Sequence, residues 1–196
     1  MYAYYYNDDK KYPIYVTDST KALTKYNFFD NLEDQELKLF FGLIDVNKKV
    51  TIVDIGARSG LYTLYAKYLP FSTFYSFEPN KVKYDLLCDN ITLNNITNIF
   101  TYNIALSNKN GLHTLDDIFF ENNIDVNFIK IDTEGFEYYI LGGGKKTIGK
   151  NKPIIQLKYK ITEEQMNDMI KSLGYKVFSK QTEEMIIIPD INDFLH

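Results

Sequence analysis

Val53-Asp54-Ile55-Gly56-Ala57-Arg58-Ser59-Gly60-Leu61 is the stretch that decides the fold. A β-rich run, Val50 to Asp54, feeds a turn carrying two glycines, and a helical pattern from Leu61 to Tyr68 opens directly after it. Glycines supply positive φ and let a backbone approach a ligand closely. The dinucleotide fingerprint G-x-G-x-x-G seats a pyrophosphate on a helix N-terminus. Here the spacing is G-x-x-x-G, with an aspartate two residues before the first glycine. Such an aspartate repels pyrophosphate but suits the ammonium of an amino-acid-bearing ligand, directly or through water. Glu78 follows the next strand, Thr73 to Phe77, where a carboxylate can accept both ribose hydroxyls of an adenosine. A ligand with adenosine at one end and an α-amino acid at the other is S-adenosylmethionine. The plainer alternative makes Asp54 a helix cap and Glu78 a solvated strand end.

Outward from this loop the strand–helix alternation continues. A helix is expected through residues 32–44, with Leu37, Phe40, Phe41 and Ile44 at helical spacing. After Glu78-Pro79 come a helix, Val82 to Asn94, and a strand, Ile99 to Ile104. A short helix, Leu115 to Asn122, and a strand, Asn127 to Ile131, follow. Phe136 to Leu141 starts a helix that glycines 142–144 should fray or end. Pro153 to Leu157 is the fifth strand and Glu163 to Leu173 the last helix, closed by Gly174; two strands, Tyr175 to Ser179 and Glu184 to Ile188, form a hairpin. This order predicts an α/β fold with a mostly parallel sheet, helices on both faces and a closing antiparallel hairpin. Right-handed crossovers gather the strands' carboxyl ends, and the ligand, at one edge. We expect a single domain over 1–196, with 1–30 an irregular arm and 31–196 the core.

The 196 residues, 45% hydrophobic, suffice for one core without cross-links. The single cysteine, Cys88, excludes an internal disulfide and suits a reducing compartment. No run approaches the ~20 apolar residues of a membrane helix, and the first residues lack the regions of a signal peptide. A cytoplasmic protein is expected. A net charge of −4 argues against general nucleic-acid binding. Tyr, Asn, Ile and Lys are abundant and Arg58 is the sole arginine, a composition of AT-rich coding rather than of mechanism.

VDIGARSGLYTLYAK, FYSFEPNKVKYDLLCDNITLNN, TLDDIFFEN, FIKIDTEGFEYYILGGGKKTI and KPIIQL stand in the order of the FkbM family of methyltransferases, which the chain resembles over about residues 50–160. KIDTEGFE after a strand is the most specific of these motifs. The resemblance implies a class I, Rossmann-like methyltransferase with a seven-stranded sheet, using S-adenosylmethionine to methylate oxygen on a sugar, glycan or other small-molecule acceptor. It implies a cofactor set of Asp54, Gly56, Ala57, Arg58, Gly60, Tyr62, Glu78, Pro79, Asn103, Ala105 and Asp132. Three departures stand out. Arg58 replaces a residue that is usually neutral, often Asn; the connection from Ser107 to Thr114 is short; and Lys158 follows the fifth strand where relatives commonly carry Glu.

Methyl transfer to a hydroxyl needs alignment and removal of a proton. Orientation supplies up to ~7–11 kcal/mol in intramolecular models, and a positioned base ~10²–10⁴-fold. Asp132 and Glu134, at the end of the fourth strand, are the candidate catalytic pair, with Lys158 as a third candidate. Two carboxylates can divide the roles of base and ligand or hold a divalent cation. With no histidine beside them the metal-free route is favoured, and the alternative is that one caps the next helix. Glu137 is expected to face the cleft or solvent, and Lys130 to form an ion pair. Lys158 acting as a base would have to lose its proton near neutrality at ~4 kcal/mol, whereas orienting a polar or phosphorylated acceptor needs no such change. His113 is a weaker candidate base, His196 is set aside, and Lys145, Lys146, Lys150 and Lys152 read as a solvated face around a helix C-terminus. The competing functions are a catalytically silent cofactor-binding scaffold and, with less support, a nicotinamide oxidoreductase.

Overall fold

The computed structural model describes residues 14–17, 23–26, 35–109, 111–160, 162–181 and 183–190. A seven-stranded sheet runs β5-β4-β3-β6-β7-β9-β8. Its strands are β3 (Thr51–Ile55), β4 (Thr73–Phe77), β5 (Ile99–Tyr102), β6 (Phe128–Ile131), β7 (Ile154–Lys158), β8 (Tyr175–Gln181) and β9 (Glu184–Pro189). The first five are mutually parallel, and β9 enters antiparallel between β7 and β8. This is the mostly parallel sheet with a closing antiparallel hairpin that the alternation predicted, and it has the seven strands of the class I, Rossmann-like fold that the resemblance implied. Chain order reverses between β3 and β6, the crevice position where open α/β sheets bind ligands.

The helices are α1 (Gln35–Gly42), α2 (Lys81–Leu93), α3 (Glu137–Gly142), α4 (Lys145–Asn151) and α5 (Glu163–Ser172). β6 is buried along its whole length and β3 along nearly all of it, so both read as continuous apolar runs broken by a few polar residues. One sheet face packs Val53, Ile55, Ile129, Ile131, Ile155 and Leu157 against Phe119, Ile140, Ile148 and Met166. The other packs Ile52, Phe74 and Phe128 against Phe40, Phe41, Leu64 and Leu69. Toward the strand ends this second face turns polar. Ser76, Asp54, Lys130 and Gln156 stand side by side across β4, β3, β6 and β7, all buried.

Four expectations need correction. The arm at 1–30 is not irregular throughout: β1 (Ile14–Thr17) pairs antiparallel with β2 (Leu23–Tyr26), and β1 lies beside α2. The helix expected over Leu61–Tyr68 is a 3-10 helix, Thr63–Tyr68, and that over Leu115–Asn122 is a single π turn, Asp116–Phe120. Glycines 142–144 end α3 as expected, at Gly142 with Gly143 as its C-cap, but a further helix that the sequence pattern did not announce follows at once. Gly144 precedes α4, whose first turn is capped from afar by Asp116, accepting from Lys146 N (3.1 Å), Thr147 N (2.8 Å) and Thr147 Oγ1 (2.8 Å). A Cβ on Gly143 or Gly144 would press on Thr114 or Leu115, so the small residues seat this corner. Lys145, Lys146 and Lys150 therefore belong to α4 itself, with Lys152 as its left-handed C-cap.

Candidate functional site

The loop after β3 is shaped by the end of β6. Gly56 (φ +79°) and Gly60 (φ +93°) both lie in the left-handed region. A Cβ on Gly56 would stand 2.0 Å from the Asp132 carbonyl oxygen, and one on Gly60 2.5 Å from Leu87 Cδ1. Gly56 is thus demanded by the backbone of β6, and Gly60 by α2. Gly56 N and Ala57 N both donate to Phe77 O, at 2.9 and 3.0 Å, tying the loop to the end of β4. Arg58 is left-handed as well (φ +52°), an unusual conformation for an arginine.

Glu78 sits at the end of β4, 4% exposed. Its Oε2 accepts from Arg58 N (2.9 Å) and its Oε1 from Asn80 N (2.8 Å). Asn103 Nδ2 donates to the carbonyls of Glu78 (2.8 Å) and Pro79 (3.1 Å), fixing the same turn from beyond β5. Glu78 is therefore a held carboxylate rather than a solvated strand end. Ala105 follows on the half-buried segment leaving β5.

Asp54 lies below the loop, 2% exposed, and caps no helix. Lys130 Nζ donates to Asp54 Oδ1 (3.1 Å) and Thr63 Oγ1 to Asp54 Oδ2 (2.7 Å). Lys130 also reaches Gly56 O (3.4 Å) and lies 4.1 Å from the centroid of the Tyr62 ring, a cation–π contact. The ion pair expected for Lys130 is present, and its carboxylate is Asp54. Any ligand ammonium that meets Asp54 meets a group already engaged on both oxygens.

Beside this, Asp132 and Glu134 project from the end of β6, and Arg58 joins them. Its Nη2 donates to Glu134 Oε1 at 2.8 Å and stands 3.7 Å from Asp132 Oδ1. Asp132 is mostly covered (side chain 16% exposed) and Glu134 is open (59%). Neither caps α3, whose N-cap Phe136 receives no side-chain hydrogen bond. The turn is held instead by Glu137, which faces neither cleft nor solvent. Fully buried, it accepts from Thr133 N, Thr133 Oγ1 and Gly135 N, at 3.0–3.1 Å. Glu134 itself is left-handed at φ +58°, backbone strain of the kind found at functional turns. Among the described residues no three His, Cys, Asp or Glu side chains gather as a metal site.

Lys158 ends β7 opposite Glu184 of β9, with Nζ 3.6 Å from Glu184 Oε1. It is part of a cross-strand pair two strands away from the glycine loop. His113 is exposed; its carbonyl accepts from Ser107 N (2.9 Å). The short connection between them carries Lys109, whose ammonium lies over the rings of Tyr139 (4.1 Å) and Phe136 (5.2 Å). Phe136, Leu112 and Tyr138 stay about two-fifths exposed there. The backbone N–H of Thr114, and then its hydroxyl, hold the Asp117 carboxyl below the usual range. Sequence reasoning missed the Arg58 bridge, the Tyr62–Lys130 contact and the part played by Glu137; His196 lies outside the described residues.

The seven-stranded, mostly parallel sheet with its antiparallel hairpin is that of the class I methyltransferase fold. Within that class the chain is similar to the FkbM methyltransferases: the family model "Methyltransferase FkbM domain" matches residues 111–177, about a third of the sequence. No curated protein shows a significant sequence match. Among solved structures, methyltransferase FkbM from Methylobacillus flagellatus aligns at TM-score 0.61 and 19% identity, over 75% of this chain and 45% of its own. The chain thus spans less than half the length of that relative. Precorrin-6y C5,15-methyltransferase from Geobacter metallireducens aligns at TM-score 0.55 and 16% identity, over 89% of this chain and 93% of its own. M. jannaschii TYW2, solved with AdoMet, aligns at 0.52 and 17%, over 91% and 84%. No helix of the described residues is long and apolar enough to cross a membrane.

Proposed function

We propose that the protein is an S-adenosylmethionine-dependent methyltransferase acting on a hydroxyl of a sugar, glycan or other small molecule. The observation that carries this reading is the held carboxylate of Glu78, fixed beside the glycine loop by two backbone N–H groups. A carboxylate has about four acceptor positions, so two remain for ribose hydroxyls. The rest of the edge suits an adenosyl amino acid: Arg58, Asp132 and Glu134 offer both signs of charge to a zwitterion. The space where a Gly135 Cβ would stand is open. A dinucleotide would instead bring its pyrophosphate toward three carboxylates.

Bound there, S-adenosylmethionine supplies a methyl group activated on a sulfonium. This chain's residues do the remaining work. Glu78, itself held by the Arg58 and Asn80 amides, would fix the adenosine end, and the turn held by Glu137 sets Asp132 and Glu134 at the transfer end. With that group bound, Asp132 and Glu134 would face the acceptor hydroxyl and take up its proton as the oxygen is methylated. The half-exposed aromatics near Lys109 give a sugar ring an apolar face to lie on.

Incubation with S-adenosylmethionine carrying a labelled methyl and the host's glycan and metabolite pool tests the reading by mass spectrometry. One labelled methyl on an alkali-stable ether is expected. Absence of transfer, together with no binding of S-adenosylhomocysteine by calorimetry, refutes it; binding without transfer leaves the silent scaffold.

A further inference from the structure

We infer that Arg58 is the carboxylate receptor of this site: its guanidinium leaves Glu134 to hold the α-carboxylate of the S-adenosylmethionine amino-acid end. The inference rests on the cofactor reading above and assigns to a residue of this chain a role in that site. Three observations carry it. Arg58 links both ends of the edge, through its N–H to Glu78 at 2.9 Å and through its side chain to Glu134 at 2.8 Å. Asp54, the carboxylate beneath the loop, is already engaged by Lys130 and Thr63, and Glu78 is assigned to the ribose, so the charges left for the amino-acid end are Asp132, Glu134 and Arg58. Their sum is −1, against +1 for a ligand with a sulfonium, an ammonium and a carboxylate.

Charge matching then dictates an exchange of partners. Asp132 and Glu134 gain cations from the ligand, and Arg58 gains the ligand's anion in place of Glu134. An arginine–carboxylate pair takes up two parallel hydrogen bonds where geometry permits, and Arg58 is half-exposed and so can turn. The ligand's net +1 thus offsets the −1 left by one guanidinium between two carboxylates.

Calorimetric titration with S-adenosylmethionine and with decarboxylated S-adenosylmethionine, which keeps the sulfonium and the amine, tests this. Arg58→Asn is the variant, because asparagine tolerates the left-handed backbone and retains the N–H that holds Glu78. Wild type is expected to prefer the carboxylate-bearing ligand by tenfold or more, and Arg58→Asn to reduce that preference to within threefold. Thermal unfolding checks that the variant is folded, and Arg58→Lys should keep part of the preference if folding of the first is impaired. An equal preference in wild type and variants, or none in wild type, overturns the inference. Binding of neither ligand by wild type overturns the cofactor reading beneath it.

Discussion

Lys130→Met removes the ammonium from the buried polar row while roughly keeping the side chain's length. Asp54 would then lie 2% exposed with only the Thr63 hydroxyl on its carboxylate. Breaking one side of a buried ion pair costs ~3–5 kcal/mol, because the partner charge stays desolvated. Loss of the Tyr62 contact belongs to the same change. For a chain of this size ~1 kcal/mol moves Tm by ~2–4 °C, so a fall of ~6–20 °C is expected. Differential scanning calorimetry at neutral pH measures it, with urea unfolding as an independent estimate. Asp54→Asn in the same chain removes the stranded charge and should recover more than half of the loss, giving a coupling of ~2 kcal/mol or more. A Tm within ~2 °C of wild type, or simple additivity in the double variant, would refute the argument that this pair is structural. So would a large loss of S-adenosylhomocysteine affinity at unchanged Tm, which would make Lys130 part of the ligand site instead.

Glu78→Ala should weaken S-adenosylhomocysteine binding by ~2–4 kcal/mol, the scale of charged hydrogen bonds left unmade; an unchanged dissociation constant in a folded variant removes the adenosine assignment. Glu137→Leu strands three donors of the turn after β6 and should cost ~2–4 kcal/mol of stability in urea unfolding, with an effect below ~0.5 kcal/mol counting against its role. Lys158→Glu sets like charges opposite each other at Glu184, a loss of ~0.2–1 kcal/mol that the reversed pair Lys158→Glu/Glu184→Lys should restore; if turnover falls far more than stability, Lys158 belongs to the active site. Once an acceptor is in hand, Asp132→Asn or Glu134→Gln should lower kcat at saturating cofactor by ~10²-fold or more, and full activity in both would leave proximity as the main catalytic device.

The parts of the fold legible in the sequence are those whose causes are local. β3, β4 and β6 announce themselves as short apolar runs ending at a glycine turn or a carboxylate, and Thr73–Phe77 falls where the pattern put it. α4 does not, because its N-terminal donors are answered by Asp116, 30 residues earlier, and no window on Lys145–Asn151 contains that cap. Arg58 is similar. Its departure from the family pattern was visible, but its partner stands 76 residues away on another strand end, and only the sheet order brings the two together. Glu137 misled for the opposite reason. Helical spacing from Glu134 placed both on one face, whereas the turn Thr133-Glu134-Gly135 folds back over it and takes all its acceptors.

The glycine loop makes the two halves of the edge one mechanical unit. Its amides at Gly56 and Ala57 hang from Phe77 at the end of β4, and Gly56 lies flush against the Asp132 carbonyl at the end of β6. The Gly56 carbonyl meets Lys130, whose ammonium rests on the buried carboxylate of Asp54. A shift of the loop toward a ligand therefore moves Glu78 and the Asp132 turn together, and the ion pair beneath resists it. Such preorganisation keeps the donors and acceptors in place before the ligand arrives, so little of its binding energy is spent on ordering them. Just past the Asp132 turn the surface is built differently, from aromatic rings and a lysine that stay partly in water. Buried, paired groups tolerate little change, whereas half-exposed rings can be exchanged at small cost to stability.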